Sequence, residues 1–170
     1  MNIRQLQIQN ENIQDRLLLR IATPANEEMR VHITRRFLRE LWPHLVTMLE
    51  GHLASRPTLS TDPANTTASE TASFSEPYQA NQPTLPLGAS PILASEANLV
   101  AAGPGLAQLT LREGRERSVA LTLNGDLMRA FCSMLRAGAD KARWDLELPW
   151  EAPSSSPQPL IVQDAPKLLH

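Results

Sequence analysis

The chain has little of what builds disulfides and metal sites. Its 170 residues include one cysteine, Cys132, and only 4% aromatic residues. A single thiol excludes an internal disulfide, and a zinc site built from cysteines needs more of them. Of the four histidines, His44 and His52 lie eight residues apart with no carboxylate at ligand spacing. The sequence therefore predicts no metal site, and we expect no cofactor.

Long apolar runs are also missing. The longest one near the start, Leu17–Leu19, lies between the charged residues Asp15 and Arg20, which is not typical of a signal peptide or a membrane span. We therefore expect a cytoplasmic protein without a membrane partner. Glycine patterns of nucleotide-binding loops and hydrolase elbows do not occur. The protein is expected not to be an enzyme, and an active site that no motif marks is the alternative.

Basic residues are absent from the middle of the chain. Between Arg56 and Pro104 there is no Lys or Arg, and the composition is rich in Ser, Thr, Ala and Pro. The last 20 residues, 151–170, have a similar composition. Segments of this kind bury too little apolar surface to offset the conformational entropy lost on ordering. We predict a disordered linker over 56–104 and a Pro/Ser-rich tail over 151–170.

Residues 1–55 are predicted to form a β-β-α unit. Apolar and polar residues alternate over 15–22 and again over 29–33, on either side of a short polar turn. Two such runs around a turn are typical of a β-hairpin. Apolar residues then recur at helical spacing over 35–53, which predicts an amphipathic helix. Leu6 and Ile8 among glutamines suggest an opening strand.

The same order returns in residues 105–150. Alternating runs surround Leu109 and Leu121, and a helical period follows over 125–142. After the helix, Trp144–Leu148 alternates again, which predicts a final strand.

The two units align at a constant offset of 90 residues without a gap. Leu19 aligns with Leu109, and the polar helix caps Thr34 and Asn124 coincide. One β-β-α unit is too small to be stable alone. We therefore predict an internal repeat and a single α+β domain, in which two pseudo-twofold-related units form an antiparallel sheet with two helices on one face.

The alignment also predicts which helix residues meet in the core between the units. Trp42 aligns with Cys132, and Leu45 aligns with Leu135. A large residue opposite a small one conserves volume in a closely packed core. Cys132 is thus expected to be a buried thiol and not a nucleophile.

The other face of the predicted sheet is polar and carries basic residues. These are Arg20, Arg30, His32 and Arg112. Such a face is typical of the solvated side of an antiparallel sheet, and it can also bind the backbone of a single-stranded nucleic acid. Single-strand binders add aromatic stacking, for which Trp144 and Trp150 are the expected exposed residues.

The predicted tail contains one apolar run of three residues, Leu160, Ile161 and Val162. Short apolar runs in disordered tails dock into other chains as an added strand or a groove ligand. Our first hypothesis is therefore a non-enzymatic interaction or assembly module, an adaptor or subunit of a cytosolic complex, whose partner is a protein (itself or another). A single-stranded nucleic-acid-binding protein is the second hypothesis, and an enzyme without a recognisable motif is the third.

Overall fold

A computed structural model describes residues 3–54 and 82–150. Both parts contain antiparallel strands followed by a helix, so the protein belongs to the α+β class, as expected. In chain order the elements are β1 (Gln5–Glu11), β2 (Arg16–Ala22), β3 (Glu28–Thr34), α1 (Arg35–Glu50), β4 (Ile92–Leu93), β5 (Glu96–Gly103), β6 (Leu106–Glu113), β7 (Arg117–Asn124) and α2 (Gly125–Lys141).

The described strands form two sheets, so the prediction of one antiparallel sheet was wrong. The first sheet has the order β1-β2-β3-β4, in which β4 is parallel to β3 and the other pairs are antiparallel. The second sheet has the order β5-β6-β7 and is antiparallel throughout. Each predicted hairpin pairs with the strand that precedes it in the chain, which is β1 for the first hairpin and β5 for the second. The two hairpins do not pair with each other.

The disordered linker predicted over 56–104 was wrong for its second half, because β4 and β5 lie there. The sequence of β5, EANLVAAG, lacks basic residues but also lacks proline. No proline removes a donor from its backbone, which pairs with β6 along seven residues, from Glu96 opposite Arg112 to Gly103 opposite Leu106. Residues 55–81 and the predicted tail, 151–170, lie outside the described residues.

The final strand predicted over Trp144–Leu148 is not a strand in the structure. Instead, α2 ends in a Schellman motif, with Arg143 in the left-handed conformation at φ 54°. The Trp144 N–H donates to the Ala139 carbonyl (3.1 Å) and the Arg143 N–H donates to the Asp140 carbonyl (3.0 Å). The reversal of the chain turns the Trp144 indole into the core, where it is 1% exposed.

Arg143 provides a test of this helix end. Arg143→Gly is expected to stabilise the protein by about 0.5–1 kcal/mol, because glycine removes the left-handed strain at a smaller cost in unfolded-state entropy. Arg143→Ala retains the Cβ and serves as the control, since it removes the same exposed charge without removing the strain. Urea unfolding of both variants measures the difference. Equal stability of the two variants would contradict the assignment.

Each helix contacts the sheet of the other unit. A Cβ added to Gly138 of α2 would lie 3.1 Å from Ile8 Cγ2 and 3.2 Å from Leu17 Cδ1, so α2 packs closely on the first sheet. Helix α1 in turn lies beside β5 of the second sheet. This exchange produces one continuous core, which includes the four predicted core residues Trp42, Leu45, Cys132 and Leu135. Burial raises the pKa of the Cys132 thiol to about 12, so this thiol is inert at neutral pH.

Glu113 and Arg117 connect the segment around β4 to the second sheet. The Glu113 carboxylate accepts the Leu93 N–H (3.0 Å) and pairs with the Arg117 guanidinium. Arg117 also donates to the carbonyls of Leu87 (3.2 Å) and Ser90 (3.0 Å). We call Glu113 and Arg117 the β4 latch.

The β4 latch predicts a pH dependence. The Leu93 N–H and the Arg117 side chain hold the pKa of Glu113 below its ordinary value of 4.5. The folded chain thus binds this proton less readily than the unfolded chain. The stability that Glu113 contributes is therefore complete above about pH 4.5, and it is lost as the pH falls through the lower pKa of the folded state. In urea unfolding at pH 7 and pH 3, wild type should lose more stability than Glu113→Gln. Equal losses would contradict the latch.

Candidate functional site

A groove of about 720 Å³ lies between α1 and β5. Its apolar surface comes from Phe37, Leu41 and Met48 of α1 and from Ala97 and Leu99 of β5. The exposed side chains of Glu40, His44 and Thr47 also line it from the helix. An apolar groove with polar groups along its rim is a common form of binding site.

The helical wall of the groove follows from the spacing of its residues. Phe37, Leu41, His44 and Met48 are three or four residues apart and therefore share one side of α1. The helix begins at Thr34, whose hydroxyl accepts the Phe37 N–H at 3.2 Å and caps the first turn.

The opposite wall is an edge strand. Within the described ranges, β5 pairs with β6 alone. Ala97 lies opposite Leu111 and Leu99 lies opposite Leu109. The two leucines of β6 are fully buried, whereas Ala97 is exposed and Leu99 is half-buried. On the face of the second sheet that points to the core, the residues of β6 are thus buried, whereas those of β5 are partly open to solvent. On the opposite face, Val100 is 42% exposed.

Residues from both faces of β5 line the groove. Successive side chains of a strand point to opposite faces of the sheet. Ala97, Asn98 and Leu99 are successive, and all three line the groove. In the described ranges the side of β5 away from β6 pairs with no strand, and we call it the open edge of β5. Such an edge is a template for pairing with another strand.

His52 holds the two walls of the groove together. Its Nε2 lies 2.8 Å from the Gly103 carbonyl oxygen and 3.0 Å from the Leu106 carbonyl oxygen. Carbonyl oxygens only accept hydrogen bonds, so Nε2 carries the proton and donates. The bond ties the β5–β6 turn to the C-terminal end of α1 and gives His52 a structural role.

The structure places three of the four predicted basic surface residues in the first sheet. Arg20 lies opposite Arg30, and both donate to the carboxylate of Glu28, whose side chain is fully buried. His32 Nε2 lies 2.9 Å from Glu11 Oε2, although the contact lacks the geometry of a hydrogen bond. All three basic side chains therefore have a carboxylate neighbour.

Arg112 is exposed on β6 of the second sheet, so it is not brought together with the other three. The predicted exposure of Trp144 was wrong, because the Schellman motif turns this residue inward. Trp150 is half-buried, and its ring packs edge-on against Trp42 with centroids 6.5 Å apart. The predicted tail run, Leu160–Val162, lies outside the described residues.

Across 3–54 and 82–150, no group of three or more His, Cys, Asp or Glu side chains could hold a metal ion. No helix in these ranges is long and apolar enough to cross a membrane.

No protein-family model, no curated protein sequence and no solved structure matches the chain. The groove was missed from the sequence because β5 lies in the predicted linker. The run Ala97–Ala102 is uncharged and proline-free within that segment, and this was the available signal for a strand.

Proposed function

We propose that the protein is a non-enzymatic interaction module of a cytosolic complex that binds an extended segment of a partner protein along the open edge of β5. The observation that carries this proposal is the coincidence of an edge strand with an apolar groove. A partner strand would gain backbone hydrogen bonds from β5 and place alternate side chains against the groove.

The composition of the groove defines the partner segment. Met48 and Leu99, both half-buried, offer apolar contact to alternate side chains of an added strand. The outward-facing side chains of that strand would lie beside Val100. A segment of about five residues with apolar residues at alternating positions and no central proline fits these requirements.

The test is a screen of displayed ten-residue peptides against the full chain, followed by measurement of Kd by fluorescence anisotropy. Thr47→Trp places a large side chain in the groove from an exposed helix position. Glu50→Trp, also exposed on α1 but outside the groove lining, is the matched control. We expect Thr47→Trp to weaken binding at least tenfold, about 1.4 kcal/mol, and Glu50→Trp to leave it unchanged. Equal effects of the two substitutions would overturn the proposal.

We also propose that the two units are an internal repeat, as the sequence alignment predicted. The hairpin registers support it: Leu19 lies opposite Val31, and Leu109 opposite Leu121, at the offset of 90. Leu45→Ala and Leu135→Ala, at equivalent and fully buried positions, should each cost about 2–5 kcal/mol. Costs that differ by more than about 2 kcal/mol would contradict equivalent packing.

A further inference from the structure

Trp150, the residue before the tail, lies beside α1. Trp150 packs against Trp42 of α1, and its carbonyl accepts a hydrogen bond from Arg136 Nη1 of α2 at 3.0 Å. Trp42 directly follows Leu41, which lines the groove. The tail 151–170 therefore begins next to α1, and a neighbouring side of the same helix forms one wall of the groove.

The length of the tail allows its apolar run to reach any part of the groove. Nine residues, 151–159, separate Trp150 from Leu160, and three of them are proline. At about 3.1 Å per residue this spacer extends about 28 Å. Helix α1, with 16 residues, is about 24 Å long. The spacer can therefore pass along the whole helix.

The apolar run has the chemistry that the open edge of β5 requires. Ile161 and Val162 are β-branched, which favours a strand. In a strand, Leu160 and Val162 share one face and Ile161 takes the other. One face would then contact the apolar groove and the other would lie beside the exposed Val100. Attachment to the same chain also gives the run an effective concentration in the millimolar range.

We propose that Leu160–Val162 of the chain's own tail adds as a strand to the open edge of β5 and occupies the groove until a partner segment displaces it. The inference rests on the proposed function, because it names the competitor at the same site. Because both occupants need the same backbone groups of β5, binding of one excludes the other.

Hydrogen exchange measured by NMR on the full chain tests the occupant directly. Alternate amides of β5 point towards β6, and the others point to the open edge. With the tail in place, both sets should be protected. Ile161→Pro removes an N–H and disfavours the strand, so it should speed exchange of the open-edge set at least tenfold and leave the other set protected. Leu168→Pro, in the same tail outside the run, should change neither set.

Three outcomes of this exchange experiment would overturn the inference. The first is equally fast exchange of the open-edge amides in wild type and Ile161→Pro. The second is loss of protection in both proline variants. The third is protection that disappears on dilution, since that would assign the groove to the tail of a second copy.

A peptide obtained in the screen separates the inference from the proposed function. Ile161→Pro should bind it at least tenfold more tightly than wild type, because the competitor is removed. Unchanged affinity would overturn the inference and leave the proposed function intact. If no peptide binds Ile161→Pro while the tail protects β5 in wild type, the proposed function is contradicted, and the inference that the tail occupies the groove is retained.

Discussion

Trp144→Ala is expected to lower the free energy of unfolding by about 3–5 kcal/mol, the range for emptying a buried aromatic site. Trp144 is 1% exposed and is among the largest fully buried side chains in the described residues. Its Nε1 donates to Asp15 Oδ1 at 2.6 Å, in the turn between β1 and β2. The side chain therefore joins the end of α2 to the first sheet, and its loss removes both volume and a tether.

Two further variants separate the volume from the tether. Trp144→Phe keeps most of the buried ring and loses the bond to Asp15, so we expect a smaller cost of about 1–2 kcal/mol. Asp15→Asn keeps an acceptor and tolerates the left-handed conformation that Asp15 adopts at φ 51°. It should change stability little. Urea unfolding followed by circular dichroism measures all three variants. A cost below about 1 kcal/mol for Trp144→Ala would contradict its position in the core.

The periodicity of the sequence predicted the hairpins and helices well, because the face of a strand or helix on which a residue lies determines whether the residue is buried. Leu17, Leu19 and Ile21 lie on one face of β2 and are all fully buried. Thr34 and Asn124 were predicted as helix caps, and both accept the N–H three residues further on. These features depend on neighbours close in sequence, so local patterns are sufficient to find them.

The errors concern contacts between residues distant in sequence. The lack of Lys and Arg and the high content of Ser, Thr, Ala and Pro predicted a linker where β5 lies, although the pairing of β5 with β6 determines its conformation. Trp144 was placed on an exposed strand, since no local pattern revealed that α2 would end by reversing the chain. The side chain of Glu28 is fully buried between Arg20 and Arg30 at the start of β3, and no local pattern indicates this contact. The groove combines two such elements, so the sequence did not predict it.

The alignment of the two units predicts a second large loss of stability, on substitution of Trp42. This side chain is 2% exposed and lies in the same core as Leu45, Cys132 and Leu135. Its Nε1 donates to the Pro149 carbonyl at 3.3 Å, and its ring contacts Trp150. Trp42→Ala is therefore expected to cost about 3–5 kcal/mol in urea unfolding. Cys132→Ser should cost less, about 1–3 kcal/mol, because it buries a hydroxyl without a partner.

Trp42→Phe is the control for Trp42→Ala. It retains the buried ring but loses the bond to Pro149, so it should cost about 1 kcal/mol. Because Pro149 and Trp150 directly precede the tail and contact Trp42, both Trp42 variants should also loosen the point from which the tail starts. Faster hydrogen exchange at Trp150 in Trp42→Phe than in wild type would report this loosening separately from global stability. An unfolding midpoint unchanged in Trp42→Ala would show that the helix phase, and with it the 90-residue register, is wrong.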